Sequence, residues 1–360
     1  MKNWPIYMTI VLLGALSCSK SENVPVAQDN MIQLEVVDMP STQTRAHVFN
    51  DKADVVAEGE FALSAYFKDN NAEYFTDAWV YYFVSDDGLA RWRFRDVVNQ
   101  DYLIDLYWPD GVVDFMAYVP RKLEECAATI SNLSYDSTAG KGISFDATTN
   151  AVINDRTEQE REQENAKSEF MFATHLNQSK STGGMVKLRF VHPFAAVKFR
   201  LHQSHRDLVI NSITLHGLDR SGSFKCDAST YEPYKAGNNG QDYITYSNWT
   251  TNNSGELTVN LSKSVPGDIN YQSQIGGPYM VIPQSLDGIK LSVNYSWNSE
   301  TKQSAQFSIS TAHVPNWQPG KIYTYTLDLG DNKEEILFKV VVEEWTNGEE
   351  DGFENNYDVQ

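Results

Sequence analysis

Short segments in which apolar and polar residues alternate recur along nearly the whole chain, separated by turn signals, with no long helical stripe between them. A period of two sends successive side chains to opposite faces, so such segments bury themselves as strands of packed sheets. Trp79–Val84 and Tyr102–Tyr107 are apolar and aromatic. Val113, Phe115, Ala117 and Val119 read as an inward face, with Val112, Asp114, Met116 and Tyr118 opposite. The pattern returns at Val209–Leu215, at Leu257, Val259 and Leu261, and at Ile289, Leu291, Val293 and Tyr295. It returns again at Tyr323, Tyr325, Leu327 and Leu329, and last at Ile336–Val342. Asp86-Asp87-Gly88, Pro109-Asp110-Gly111 and Pro319-Gly320 are turn signals. Nineteen tyrosines and seventeen phenylalanines suit pleated, half-buried surfaces. About a dozen such strands with little helix predict an all-β chain of two tandem β-sandwiches.

The phase of the alternation slips once. Val186, Leu188 and Phe190 share one parity, and Val197, Phe199 and Leu201 share the other. The slip falls at His192-Pro193-Phe194, which predicts a bulge or a crossing between sheets, because proline lacks a ladder donor. Ser, Lys, Thr and Gly cluster over Ser179–Gly184. This sets the expected boundary between an N-terminal sandwich, 46–183, and a C-terminal one, 184–346. Residues 121–150 read as loosely patterned, and 235–256 and 262–278 as loops. Residues 155–169 are polar on every face and read as a solvated surface charge run. Residues 347–360 are acidic and patternless and are expected to be disordered.

The N-terminus reads as a signal peptide, residues 1–17. Lys2 precedes the apolar run Ile6–Leu13, and Ala15-Leu16-Ser17-Cys18 closes it with small residues around a cysteine. The run is too short to span a membrane as a helix. A cysteine in that place resembles a bacterial lipobox, with Cys18 as the lipidated residue. A polar tether follows, then Met31–Val37, with Ile32, Leu34 and Val36 on one face and Gln33 and Glu35 on the other. Next comes Ser41-Thr42-Gln43-Thr44-Arg45-Ala46, which a trypsin-like protease could cut after Arg45. Cys126 and Cys226 lie on opposite sides of the expected boundary and read as two buried, unreacted thiols.

Signatures of chemistry are missing. The chain has no phosphate loop, no nucleotide-binding glycine run and no Gly-x-Ser-x-Gly elbow. Its seven histidines are scattered; His202 and His205 lack a third ligand, and His192 reads as structural. No metal, cofactor or catalytic residue is expected, and the chain is not read as an enzyme. A net charge of -19 argues against nucleic acid or anionic lipid as partners.

Four stretches, in order, resemble the fimbrillin family of type V pili in its Mfa-like branch. They are Thr44-Arg45-Ala46; Tyr107-Trp108-Pro109 running into Val113–Pro120; Phe170-Met171-Phe172-Ala173 followed by Val186–Val197; and Tyr279–Gln284 with Trp317–Tyr325. The resemblance implies transthyretin-like sandwiches and a fimbrial subunit exported as a lipoprotein to the outer membrane and the cell surface. It also implies lipoprotein export machinery, an arginine-specific protease that removes the N-terminal segment, and other fimbrial subunits as partners. Carried onto this chain, Cys18 is the lipid (palmitate) site, cleavage falls between Arg45 and Ala46, and Ile32, Leu34 and Val36 belong to the displaced strand. A strand from another subunit then fills the vacated groove. Ile336, Phe338, Val340 and Val342 repeat the same alternation and form the candidate donor. A last strand paired within its own domain would show the same pattern, so both settings stay open. A second function, a non-polymerising surface lipoprotein that binds glycans or host ligands, would require a flat row of Trp or Tyr on one face.

Overall fold

The computed structural model describes residues 30–37, 59–85, 88–96, 103–136, 138, 142–149, 167–182, 184–202, 208–227, 244–264, 272–297, 300–304, 306–310, 312–329, 336–344 and 357–359. Cys18, Arg45 and Ala46 lie outside them. In chain order the strands begin with β1 (Gln33–Val36), β2 (Glu60–Phe67), β3 (Glu73–Val84), β4 (Ala90–Arg95), β5 (Leu103–Ile104), β6 (Val113–Val119) and β7 (Ala128–Asp136). Then come β8 (Gly142–Thr149), β9 (Met171–Gln178), β10 (Met185–Leu188), β11 (Ala195–His202), β12 (Leu208–Cys226), β13 (Trp249–Ser264) and β14 (Gln272–Val281). The last are β15 (Lys290–Trp297), β16 (Glu300–Gln303), β17 (Phe307–Ser308), β18 (Lys321–Leu329), β19 (Ile336–Glu344) and β20 (Tyr357–Val359). The protein is all-β and built from packed sheets, as the alternation requires.

One antiparallel sheet runs β5-β4-β3-β2-β6-β9, and a mixed sheet, in which β11 and β18 are parallel, runs β14-β11-β18-β19-β20. A third runs β16-β15-β12-β8-β7, with β13 also on β12 and β17 on β15. Strand β1 pairs in parallel with β10 as a small fourth sheet. Three cores fill the spaces between. The first packs β1 and β10 on one face of the β2-centred sheet, burying Phe61, Phe115, Met171, Val186 and Leu188. The second uses that sheet's other face, with Met116 and Tyr118, against Phe145, Phe224 and Trp249. The third holds β11, β14 and β18 against β12, β13 and β15.

This layering explains where the sequence patterns mislead. All seven residues of β6 are buried, so Met116 and Tyr118 face a second core rather than solvent. Residues 121–150 contain β7 and β8, whose inward residues include the small Ala128 and Ala147 beside Ile130, Ile143 and Phe145. The stretches read as loops at 235–256 and 262–278 contain the start of β13 and most of β14. Polar side chains hid them, since ladder bonds are made by backbone whatever the side chain. Cys126 and Cys226 share the second core, although they sit on opposite sides of the expected boundary. Both are free and buried, and burial pushes each thiol up to about 12, so neither is a nucleophile at neutral pH. Strand β8 bonds to β12 and carries β7 on its other edge, and β10 bonds to β1, so sheets cross residues 183–184. Within the tail expected to be disordered, Tyr357–Val359 pair with β19.

The slip at His192-Pro193-Phe194 is a crossing between sheets. Val186, Leu188 and Phe190 enter the first core, Val191 and Phe194 the second, and Val197, Phe199 and Leu201 the third. Trp249 donates its indole N–H to the Pro193 carbonyl at 2.8 Å, fixing the turn between them. At Gly277 (φ +96) a Cβ would fall 2.6 Å from the Val197 carbonyl oxygen, so only glycine allows β14 to approach the irregular part of β11.

Candidate functional site

The seat of β1 is built from two separate pieces of chain, residues 106–108 and β10. The Ile32 N–H donates to the Leu106 carbonyl at 2.8 Å, and the Trp108 N–H to the Asn30 carbonyl at 2.9 Å. The Val37 N–H donates to the Leu188 carbonyl at 2.8 Å, and Gln33–Val36 run parallel to Met185–Leu188. Because strand residues alternate in bonding direction, even-numbered backbone groups face 106–108 and odd-numbered ones face β10. The bond to Leu106 stops at Ile32, and β5 pairs with β4 only at Phe94 and Arg95. An open groove of about 570 Å³ lies here, lined by Leu34, Tyr82, Trp92, Ile104, Leu106 and Met185.

Ile32 (5 % exposed) and Val36 (1 %) belong to the first core, and Leu34 packs against it half-buried. The structure thus brings Ile32, Leu34 and Val36 together on one apolar face, as the alternation predicts. Gln33 is exposed, and Glu35 meets Lys187 at 4.0 Å between two largely solvated side chains, a contact of little energetic weight. β10 is held from behind: the Lys187 N–H donates to Nδ1 of His175 on β9 at 3.0 Å. Burial, with Lys187 as a smaller cause, lowers the His175 pKa to about 4, which keeps the ring neutral and Nδ1 able to accept.

The other strand singled out by sequence is elsewhere. β19, with Ile336, Phe338, Val340 and Val342, pairs antiparallel with β18 from Leu329↔Ile336 to Lys321↔Glu344, and β20 occupies part of its outer edge. The described chain therefore holds β19 in its own sheet.

Three constellations were invisible in the sequence. Glu169, the last residue of the supposed surface run, is fully buried, 2.6 Å from Nδ1 of His192. His216 lies 2.7 Å from Glu256 through Nδ1 and 2.8 Å from Ser292 through Nε2, the order of a nucleophile relay. Ser292 is 2 % exposed and sits inside the β12–β15 ladder, so no substrate carbonyl can reach it; the relay ties three strands together. Separations of 40 and 76 residues hid it from any spacing rule. Finally, Trp79, Tyr81 and Phe83 share one face of β3. Arg95 lies 5.0 Å from the Trp79 ring centre and 4.0 Å from that of Tyr81, Arg121 lies 4.2 Å from Trp79, and Tyr81 meets Phe83 at 72°. This is a row of rings capped by guanidiniums, unlike the flat platform that sugar stacking needs.

A layered all-β scaffold of packed sheets, with a short N-terminal strand seated on one of its cores, is the class of protein that the structure defines. The chain belongs to the fimbrillin-like family, which matches residues 44–345. It is accordingly a non-enzymatic fimbrial or adhesive protein of the cell surface, and other fimbrial subunits are its partners in assembly. Among solved structures it is similar to a candidate cell adhesion protein from Bacteroides uniformis, at 13% identity and TM-score 0.49 over 89% of this chain and 100% of that one. It is also similar to a fimbrial protein from Bacteroides vulgatus, at 13% identity and TM-score 0.46 over 88% and 100%. No curated protein matches.

Proposed function

We propose that the protein is a fimbrial subunit assembled by β-strand exchange. It is exported as a lipoprotein through Cys18, reaches the outer membrane and surface, and is cut after Arg45. Cleavage frees the segment that carries β1. A strand of another subunit, with β19 as the candidate, then supplies the missing apolar residues.

The observation that carries this reading is the position of Ile32 and Val36. Both are buried in the first core, yet Val36 ends and Ile32 immediately precedes a four-residue strand upstream of Arg45 and separated from β2 by more than twenty residues. A segment that completes a core from outside the family-matched region, 44–345, is suited to being replaced. Its replacement needs the same alternation and an edge to bond, and β10 and 106–108 supply that edge.

N-terminal sequencing of the surface form tests the cleavage: Ala46 as first residue is expected, and Cys18 as first residue in assembled fibres would sink it. An Arg45→Ala variant is expected to stay monomeric where the cleaved protein forms ladders in mild detergent.

A further inference from the structure

The outer face of the β3–β4 hairpin is chemically unlike the rest of the molecule. Three aromatic residues stand directly opposite three arginines: Trp79 with Arg95, Tyr81 with Arg93, and Phe83 with Arg91. With Arg121, four of the chain's eleven arginines meet on this face of a protein of net charge -19. A guanidinium lying on a ring is held flat, and its in-plane N–H donors stay available to a carboxylate. Two of the four cations are matched, Arg93 by Asp105 at 3.3 Å and Arg121 by Glu60 at 3.2 Å. Among the described residues no carboxylate pairs with Arg91 or Arg95.

We propose that this face seats the acidic C-terminal segment, residues 343–360, of a second copy of the chain. That segment carries seven carboxylates and no lysine or arginine. It also carries Trp345 and Phe353, which can pack beside the rings, and Tyr357, which would first leave its pairing with β19. It continues directly from β19. If β19 of one subunit enters the groove of the next, the placement resting on the strand-exchange reading above, the segment starts from a groove that Ala90–Phe94 border. Two subunits of charge -19 repel at long range, and a local cationic face met by an acidic tail offsets this and orients them head to tail. A carboxylate-bearing glycan would satisfy the same arginines. The peptide is favoured because guanidiniums already occupy the ring faces on which a sugar would stack, and because the chain itself supplies the carboxylates.

The test is fluorescence anisotropy with a labelled peptide of residues 343–360 and the full-length protein. Binding is expected at low salt and should weaken by about tenfold or more near 1 M salt, where the screening length falls to about 3 Å. The Arg91→Gln/Arg95→Gln variant should lose about tenfold or more, since charge-assisted bonds are the strong ones. A peptide with every Glu and Asp replaced by its amide should not bind, a comparison that leaves the protein unaltered. Absence of binding, binding indifferent to salt and to the arginines, or an oligogalacturonate that binds this face where the peptide does not, would each overturn the proposal. The peptide omits Ile336–Val342, so its binding needs no strand exchange. If cleaved subunits polymerise but the peptide does not bind, only this inference fails. If the peptide binds and cleaved subunits stay monomeric, only the exchange reading fails.

Discussion

Strands β1 and β19 show the same alternation and sit in opposite settings. β1 makes four parallel pairs with β10 and two further backbone bonds to 106–108. β19 makes nine antiparallel pairs with β18, and β20 lies on its other edge. Parallel pairing is slightly weaker per residue, and β1 has fewer than half the pairs. Its anchors are Ile32 and Val36, each contributing about 1.5–3 kcal/mol by burial, or about 3–6 kcal/mol together as an upper limit. Alternation therefore says which strands could fit a groove, and the length of the ladder says which can leave one. A donor drawn from β18 gives up nine pairs, so exchange is favourable only if the groove returns a ladder of similar length.

Truncation should show the largest contrast. Removing 336–360 strips β18 of its nine-pair partner on one edge and leaves it only β11 on the other; its Tyr323, Tyr325 and Leu327 lie in the third core, so the deletion is expected to abolish cooperative folding. Removing 19–45 should cost about 3–6 kcal/mol and leave the protein folded, because the rest of the first core remains. Denaturant unfolding of the two products decides it; equal losses would break the comparison. A single substitution sharpens it. Val36→Asp in the intact chain should cost more than the about 1.5–3 kcal/mol of losing valine burial, because the carboxylate would be buried unpaired. The loss cannot exceed the cost of undocking β1, so thermal unfolding of this variant should approach that of the 19–45 deletion. Cleavage by an arginine-specific protease should also become faster.

The all-β class, the run of strands and the apolar face of β1 were legible because each is written in a period of two. The crossing at His192-Pro193-Phe194 was legible for the same reason, since a change of core reverses the parity. What alternation cannot carry is the identity of the partner. Asp155–Glu169 reads as uniformly solvated, yet Glu169 is buried because His192, 23 residues away, meets its carboxylate. Ala128 and Ala147 line a core that needs small residues, and β7 and β8 disappear among serines and threonines. The groove beside β1 was equally hidden. Its wall at Ile104 and Leu106 falls in Tyr102–Tyr107, apolar in sequence, but the strand there is two residues long, too short to show which face it presents.

Acid should weaken the β1 seat more gently than any of these changes, through His175. Its pKa is about 4 in the folded protein against an ordinary value of 6.5, so between those limits the unfolded chain binds more protons than the folded one. Stability from this group is then complete above pH 6.5, falls as the pH drops from 6.5 toward 4, and is gone below. The full loss is at most about 3.5 kcal/mol, since each unit is worth about 1.4 kcal/mol. A protonated Nδ1 can no longer accept the Lys187 N–H, so the loss should concentrate in β10 and reach β1 through it. Amide exchange at Lys187 and Leu188 is expected to speed up over this window, ahead of exchange in β18. His175→Gln, which keeps an acceptor and does not titrate there, should flatten the response. If β18 loosened first, or the glutamine variant kept the full pH dependence, β1 would not be the strand that acid releases.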